Sequence, residues 1–299
     1  MTSTNPAPKG DQGRRPRWWY VGLGIISLVA VVTFFPAIIG GFADSDAGVH
    51  QPGITDFFPE AMIWGGTHFE FNRLTLARFI AAAIVAAIFM ITAARAKLQP
   101  GRGQMLIEMA LGFVRGNIGT ELLGTSRGKR YARILAFVFF GVLAMNLTGI
   151  LPGVNIAASS VMSVPVVFAV LAYVTFIAAG IKTQGGLGFF KAQLFPPGIP
   201  WPMYILLTPI EFVSTFIVRP ATLAIRLLAN MIAGHMLLAL TYFGTQSLLL
   251  ASMALKPVAI ATFGASIVIT LFEIFVAVLQ AYVFTILTAV YIKMSVESH

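Results

Sequence analysis

Long stretches without a formal charge constrain this chain more than any other feature of its sequence. Residues 134–181 contain no Lys, Arg, Asp or Glu over 48 positions, and residues 220–292 contain only three. About 20 apolar residues are enough for an α-helix to cross the hydrocarbon core of a bilayer. Charged residues make up 10% of the chain, against about a quarter in soluble proteins. The sequence therefore predicts an all-α, polytopic membrane protein with about five or six transmembrane helices.

The apolar runs divide the chain into four regions. Residues 1–17 are polar and basic and predict a disordered cytoplasmic tail. Residues 18–43 carry no charge and are interpreted as a retained membrane helix; the alternative is a cleaved signal peptide, with residues 41–43 as its cleavage site. The acidic, turn-rich residues 44–73 predict an external segment. Residues 74–299 are then the membrane domain.

Within the membrane domain, the pattern predicts one surface helix, three short spans and two long ones, with the first short span over residues 74–94. Residues 104–133 mix apolar and charged side chains and predict an amphipathic helix on the cytoplasmic face, ending in a basic anchor. Residues 134–181 are long enough for two spans. The Gly- and Pro-rich residues 183–202 predict a cytoplasmic loop. The last runs, residues 203–243 and 257–292, each exceed one span, so we expect two long, tilted helices.

Basic residues at the ends of the apolar runs set the expected orientation. The net charge of +9 would favour nucleic-acid binding in a soluble protein. Here the bases cluster at residues 95–102, at residues 127–133 and at Lys182, as the positive-inside rule describes. We therefore expect no nucleic-acid partner. Six crossings would place both termini in the cytoplasm.

Two charged residues lie in the middle of the last apolar runs. They are Arg226 and Glu273, whereas Lys256 falls at a predicted external turn. An arginine at the bilayer centre costs at least ~2.5 kcal/mol on insertion scales. Such a position indicates a function or a partner.

Helical spacing gathers polar residues around both charges. Thr222, Arg226 and Asn230 recur at four-residue steps and therefore share one helix face. Glu273 and Gln280, seven residues apart, share a face of the last helix. We expect the two polar stripes to face each other. The alternative is a buried ion pair between Arg226 and Glu273 that only fixes helix packing.

Several kinds of chemistry are missing from the sequence. There is no cysteine, and the four histidines lack metal-ligand spacing. No Gly-rich phosphate-binding motif is present. We therefore expect no metal, no cofactor and no catalytic site, so that the chain is not an enzyme by itself.

The segment around Arg226 carries a resemblance to a known family. Residues 220–235 read Pro-Ala-Thr-Leu-Ala-Ile-Arg-Leu-Leu-Ala-Asn-Met-Ile-Ala-Gly-His and resemble the signature of subunit a of the F-type rotary ATP synthases. Residues 279–291 are similar to that family's last-helix motif, and residues 146–153 to its earlier hairpin motif. The resemblance covers about residues 65–295.

This resemblance implies a role for each residue of the polar stripes. Arg226 matches the essential stator arginine of the family. Asn230, His235, Glu273 and Gln280 match polar positions of the aqueous half-channel from the outer side.

Three more residues match positions near the arginine on its N-terminal side. Glu211 and Ser214 resemble polar positions of the inner half-channel, with a spacing to Arg226 one residue longer than the family pattern. Thr222 takes a small hydroxyl position one turn before the arginine.

The resemblance also implies a function, partners and a location. It describes a non-catalytic stator subunit of a bacterial ATP synthase, whose two proton half-channels against the c-ring couple H⁺ flow to rotation and ATP synthesis. The implied partners are the c-ring, the peripheral-stalk subunit b, other ATP synthase subunits and membrane lipid. The implied location is the bacterial plasma membrane, with a cytoplasmic C-terminus. A stand-alone ion channel or secondary transporter is the alternative, although no internal repeat is evident.

Overall fold

Two short strands precede the first helix in the computed structural model. Strand β1 (Ala61–Ile63) pairs antiparallel with β2 (Phe71–Asn72). The predictions for residues 1–17 and 18–43, and for most of residues 44–73, lie outside the described residues. The structure describes residues 53, 61–63, 71–97, 101–150, 159–195 and 200–297.

Eight α-helices account for most of the described chain, and two π-helical segments join four of them. Five helical stretches within the described ranges are long and apolar enough to cross a membrane, so the prediction of an all-α, multi-pass membrane protein is confirmed. The helices are α1 (Arg73–Ala94), α2 (Arg102–Phe113), α3 (Glu121–Leu147), α4 (Ser163–Gln184), α5 (Gly186–Leu194), α6 (Trp201–Val213), α7 (Arg219–Leu250) and α8 (Lys256–Glu297). The π-helical segments are Val114–Thr120 and Ser214–Val218.

Helix α1 begins where a side chain satisfies its free backbone donors. The Asn72 Oδ1 atom accepts hydrogen bonds from the Thr75 amide at 2.9 Å and from the Thr75 hydroxyl at 3.0 Å. Such an N-cap satisfies one of the unpaired amides that open every helix. The helix ends at Ala94, directly before Arg95, at the boundary that the basic cluster predicted.

The chain reverses direction at Gly124, near the start of α3. Gly124 has φ 79° and ψ 165°, a backbone conformation that glycine adopts at low cost. The Phe113 and Phe139 rings are 6.4 Å apart, whereas a straight helix would separate them by about 39 Å. A Cβ on Gly128 would lie 2.6 Å from the Gly119 carbonyl oxygen, so only glycine fits there. The predicted helix over residues 104–133 is thus two helical arms folded onto each other.

The segment between α4 and the long helices contains a helix that the sequence did not predict. Gly185, with φ 76°, ends α4, and α5 follows at once. The Phe189 side chain is fully buried, and its ring lies 5.5 Å from that of Phe176. The expectation of a plain loop over residues 183–202 is therefore wrong, because one buried aromatic side chain anchors α5 against α4.

The last two helical stretches are about twice as long as the membrane is thick. Residues Trp201–Leu250 are helical throughout, and α8 alone has 42 residues, or about 63 Å. The hydrocarbon core measures about 30 Å. Both stretches must therefore tilt or extend beyond the core, as the sequence predicted.

A buried core joins α3, α4, α7 and α8. Its buried side chains include Leu135, Phe168, Leu227 and Phe284. The far end of α8 is tied to α4 by polar contacts. The Ser295 hydroxyl donates to the Phe176 carbonyl at 2.8 Å, and the Gln184 side-chain amide donates to the Ser295 carbonyl at 2.9 Å. These contacts hold α7 and α8 in a fixed relation to the short spans.

Candidate functional site

Helices α7 and α8 pack against each other through small and polar side chains. The Thr245 hydroxyl donates to the Thr262 hydroxyl at 3.1 Å. The Tyr242 and Thr270 hydroxyl oxygens are 3.5 Å apart. Small and hydroxyl residues let transmembrane helices approach closely. The two polar stripes that the spacing predicts meet only in part: Asn230 lines a cavity together with Glu273, whereas Thr222 and Arg226 are exposed.

Glu273 is buried at this helix contact and faces α7. Its side chain is 3% exposed, and neither carboxylate oxygen has a hydrogen-bond partner among the described residues. A Cβ built on Gly234 would lie 3.5 Å from the Glu273 Oε1 atom. Gly234 therefore lies directly beside the carboxylate, at a distance that leaves room for one more carbon atom.

A cavity of about 170 Å³ opens beside this carboxylate. Asn230 and Gly234 line it from α7, and Glu273 lines it from α8. The other lining residues are apolar: Met231, Ala233, Leu237, Ile269, Phe272 and Val276. A buried acid beside a polar amide in an otherwise apolar cavity suits proton uptake and release, because intramembrane ionisable groups mark ion pathways.

Arg226 differs from Glu273 in its exposure to the surroundings of the chain. Its side chain is exposed, and the neighbouring Ile225 is 53% exposed. Among the described residues, ion pairs join Arg127 and Lys293 to Glu297, and neither Arg226 nor Glu273 takes part in one. The alternative of a buried Arg226–Glu273 pair is therefore wrong, because the two side chains sit in different surroundings.

Gln280 and His235 are the other residues that the resemblance matches to the outer half-channel. Gln280 lies on the helix face that its spacing predicts. Gln280 is 6% exposed, and Ala277, between it and Glu273, is also buried. These three residues therefore share the inward face of α8. Asn230 and His235 are half-buried on α7. Of the predicted outer residues, the cavity brings Asn230 and Glu273 together, whereas His235 and Gln280 do not line it.

The predicted inner residues lie on the far side of Arg226. Glu211 and Ser214 are half-buried, and Glu211 precedes the arginine by about 22 Å of helix. Thr222 is exposed, and its hydroxyl donates to the Val218 carbonyl at 2.8 Å and to the Arg219 carbonyl at 3.1 Å. Neither Glu211 nor Ser214 contacts the outer cavity.

A π-helical turn, Ser214–Val218, separates the inner residues from Arg226. Pro220 follows it and has no amide hydrogen, so it cannot bond to the carbonyl of Phe216 four residues before. A π-turn takes up one residue more than an α-turn. It therefore offers a place for the one extra residue that the sequence resemblance implies between Glu211 and Arg226.

Sequence reasoning missed the buried surroundings of another arginine, Arg219. The Arg219 guanidinium carbon lies 6.0 Å from the centre of the Tyr291 ring, and its Nη1 atom is buried without a hydrogen-bond partner in the described chain. Arg219 lies seven residues before Arg226, yet the tip of its side chain turns inward. Tyr291 was the available signal, since an arginine guanidinium is attracted to the face of a tyrosine ring in a cation–π contact.

The arrangement can move protons but does not form a metal centre. Among the residues that the structure describes, no three His, Asp or Glu side chains come together in a way that would hold a metal ion. The distinctive features are one buried acid in a cavity and one exposed arginine on the neighbouring helix surface. Both lie in helical stretches of membrane-spanning length.

Comparison with known proteins gives a consistent family match. The sequence model described as ATP synthase A chain matches residues 75–293, which include the predicted site residues. The protein named ATP synthase subunit a of Rhodococcus erythropolis is 42% identical over 250 residues, covering 83% of this chain and 91% of the relative.

Two further relatives carry the same name. The protein of Frankia alni is 42% identical over 232 residues, which are 76% of this chain and 78% of the relative. The protein of Pseudarthrobacter chlorophenolicus is 34% identical over 252 residues, which are 83% of this chain and 94% of the relative.

Proposed function

The chain belongs to the ATP synthase A chain family, and from this premise we propose that it is the stator subunit that conducts protons past a rotating ring. By family it is a non-catalytic, multi-pass subunit of the membrane sector and associates with other ATP synthase subunits. The finer proposal names the c-ring as the partner of Arg226 and the peripheral-stalk subunit b as a second neighbour. Membership of this family argues against the alternative function, a stand-alone ion channel or secondary transporter.

One observation carries the proposal: Arg226 is presented outward from the middle of an apolar helix. A guanidinium keeps its charge at any physiological pH, and lipid does not solvate it well. The described chain offers it no acidic partner. An acid on another protein would satisfy it, and a ring of subunits that each carry one carboxyl group supplies such an acid.

In the proposed mechanism, Arg226 acts on the ring carboxyl as a fixed positive charge. A ring carboxyl must be neutral while it faces lipid. Next to Arg226 the ionised form is favoured, because a nearby opposite charge stabilises it. The proton then leaves on the inner side. Since the guanidinium does not give up its own proton, it also prevents a direct proton leak between the two half-channels.

The outer path would deliver the next proton through the cavity beside Glu273. Asn230 and Glu273 line this cavity, and the buried Gln280 continues the same face of α8. His235, half-buried one turn beyond Asn230, adds an imidazole, a side chain that proteins commonly use to relay protons. We therefore assign these four residues to the outer half-channel and favour H⁺ as the ion.

The inner path would take the released proton past Ser214 and Glu211. The π-turn Ser214–Val218 supports this assignment, because it absorbs the one-residue excess that separates this chain from the family spacing. Thr222, exposed one turn before Arg226, would lie at the surface shared with the ring. One charge moving across 100 mV yields about 2.3 kcal/mol, so several protons must pass for each ATP.

The proposed location is the bacterial plasma membrane, with the C-terminus in the cytoplasm. The orientation is supported by charge. The ends of α1 and α4 and the start of α3 are basic, and positive flanks favour the cytoplasmic side. The end of α8 then lies on the same side, since Ser295 is bonded to α4 near its last turn.

Replacing the arginine tests the proposal in the complete ATP synthase. We expect Arg226→Ala to abolish ATP-driven proton pumping into inverted membrane vesicles while the complex still assembles. Arg226→Lys should fail as well, because a lysine ammonium lacks the planar fork of the guanidinium. Arg130→Ala, at an exposed arginine of α3, is the matched control and should pump normally. Retained pumping by an assembled Arg226→Ala complex would refute the stator role.

A further inference from the structure

A row of hydroxyl side chains lies between the first part of α8 and the last part of α7. On α8 it consists of Thr262, Ser266 and Thr270, which are four residues apart. Tyr242 and Thr245 face them from α7. The hydroxyl oxygens of Tyr242 and Thr270 are 3.5 Å apart. The Thr245 hydroxyl lies 3.1 Å from that of Thr262. These five residues are called the hydroxyl row.

The row leads from one end of the helix pair to the buried carboxylate of Glu273. Thr270 precedes Glu273 by three residues, so the two side chains share a face of α8. Glu273 is 3% exposed, and neither of its oxygens has a hydrogen-bond partner in the described chain. Lys256, which is charged and exposed, lies six residues before Thr262. In the proposed orientation, the row therefore begins near the outer membrane surface and ends at the acid.

The cavity beside Glu273 does not reach the outer surface by itself. Its lining residues on α8 lie between Ile269 and Val276, which is about 11 Å of helix. Thr262 lies about 16 Å from Glu273 along the helix axis, close to half of the ~30 Å hydrocarbon core. A proton that comes from the outer side must therefore cross about 10 Å of helix contact before it reaches the cavity.

The three α8 hydroxyls of the row are arranged as hydrogen-bond acceptors. Each donates its own proton to a carbonyl of α8: Thr262 to Ala259 at 3.0 Å, Ser266 to Phe263 at 2.7 Å and Thr270 to Ser266 at 2.8 Å. A hydroxyl has one proton and two lone pairs, so these oxygens can still accept. Buried acceptors stabilise a positive charge, and a hydrated proton carries one.

The spacing of the row suits single water molecules. Hydroxyls four residues apart are separated by about 6 Å along the helix. Two hydrogen bonds of about 2.8 Å each cover nearly this distance, so one water molecule can bridge neighbouring hydroxyls. Ser266 and Thr270 are 1% and 2% exposed, so water between them would be shielded from lipid.

We propose that the hydroxyl row is the entrance of the outer proton path and holds the water molecules that pass protons to Glu273. This inference rests on the proposed function and adds the residues that connect the outer surface with the acid. In each step, a water molecule receives a proton from its outer neighbour and gives one to its inner neighbour. The last transfer protonates the Glu273 carboxylate. The hydroxyls orient the water and do not ionise.

Removing the hydroxyls tests this path in the complete ATP synthase. A variant with Thr262→Val, Ser266→Ala and Thr270→Val keeps side chains of similar or smaller size but removes three acceptors. We expect ATP synthesis in vesicles energised by an imposed proton gradient to fall at least about tenfold, because a hydrogen bond to a charged group contributes roughly that factor. A variant with Thr262→Ser and Thr270→Ser keeps the hydroxyls and should synthesise ATP normally.

Thr285→Val is the matched control on the same helix. Thr285 is fully buried, and its hydroxyl donates to the Ala281 carbonyl at 2.7 Å. It resembles the α8 hydroxyls of the row in both respects but lies on the other side of Glu273 along α8. We expect its valine variant to synthesise ATP at the normal rate.

A cysteine in the row gives a second readout, because this chain contains no cysteine of its own. Silver ions bind thiolates, the form of cysteine that coordinates metals, and reach them through water. We expect Ag⁺ added on the side of the α7–α8 turn to inhibit ATP synthesis by the Ser266→Cys complex. The Thr285→Cys complex and the unmodified complex should respond to Ag⁺ alike.

Two results would overturn the proposal. One is normal ATP synthesis by the variant that lacks all three hydroxyls. The other is an equal loss in the valine and serine variants, which would show that the row only packs the helices together. Where the triple variant fails to assemble, the Ser266→Cys complex decides, and the absence of inhibition by Ag⁺ counts against the proposal.

Failure of the hydroxyl row can be told apart from failure of the proposed function. If the triple variant is normal while Glu273→Gln blocks proton flow, protons reach the acid by another route and the proposed function stands. If Arg226→Ala retains coupled pumping, the stator role itself is wrong, whatever the hydroxyl variants do.

Discussion

Arg226 on α7 and Glu273 on α8 are both charged residues in the middle of apolar helices, yet the structure treats them in opposite ways. Arg226 is exposed on the helix surface. Glu273 is 3% exposed and faces a cavity within the chain. In the proposed function, the glutamate belongs to a proton path inside this subunit, whereas the arginine acts on a partner outside it.

This difference teaches that intramembrane charge alone does not define a role. Two opposite charges on adjacent helices first suggest an ion pair, and the sequence leaves that possibility open. Burial decides between the two interpretations, because a pair would bury both partners together. A stator needs the separation that is observed: one fixed charge at the moving surface and one acid in the supply path.

The largest effect is expected from a deletion that rotates Arg226 away from its surface. Deleting Ile225, in the regular part of α7, turns the preceding helix by about 100° relative to Arg226 and should abolish ATP-driven pumping. Deleting Ile217, in the π-turn, should let that turn become an α-turn and preserve much of the activity. Both side chains are 53% exposed, so the pair is matched. Equal loss in both deletions would contradict the proposed purpose of the π-turn.

A large effect is also expected when Glu273, the buried one of the two charged residues, is replaced. Glu273→Gln keeps the shape of the side chain but removes its ability to exchange a proton. We expect proton conduction to fall on the order of a hundredfold, the usual contribution of a positioned proton-transfer group. Thermal stability should not fall, because an uncharged amide is easier to bury than a carboxylate. The checks are passive proton uptake by reconstituted vesicles and a melting curve; unchanged uptake would remove Glu273 from the path.

A moderate effect is expected from filling the cavity. A Cβ at Gly234 would make an ordinary contact with Glu273, so Gly234→Ala should be tolerated. Gly234→Leu places further carbon atoms against the carboxylate and into the cavity of about 170 Å³, and pumping should fall several-fold. The rate of ATP-driven proton pumping is measured for both variants. A leucine variant as active as the alanine variant would show that protons do not use this cavity.

The smallest effect is expected at Thr222, which shares the exposed surface of Arg226. Its hydroxyl is already bonded to the Val218 and Arg219 carbonyls of its own helix. Thr222→Ala should therefore leave pumping and assembly almost unchanged. A strong loss of pumping in this variant would indicate that the hydroxyl acts directly at the ring surface.

Much of this architecture follows from residue types and spacing. Charge-free length predicts the spans, because lipid excludes unpaired charges, and seven-residue spacing predicts that Glu273 and Gln280 share a face. The contact between Gly234 and Glu273 was harder to predict from the sequence, because it depends on how α7 and α8 are aligned. The relevant signal was the recurrence of Thr262, Ser266 and Thr270 at steps of four residues leading to Glu273.

Other features could not be predicted because they depend on backbone conformation and long-range contacts. Gly124 reverses the chain, but several other glycines nearby remain within helices. The burial of Phe189 creates α5 inside a segment whose composition indicates a loop. The inward turn of Arg219 toward Tyr291 joins residues 72 positions apart, and no local pattern specifies such a contact.

Crosslinking tests most directly whether the Arg226 surface faces the ring. The chain contains no cysteine, so a single one can be introduced at Ile225, which is 53% exposed, or at Ala277, which is 1% exposed, with a partner cysteine beside the ring carboxyl. In assembled complexes, the account predicts an oxidative crosslink from residue 225 and none from residue 277. No crosslink from residue 225, or equal crosslinking from both, would contradict it.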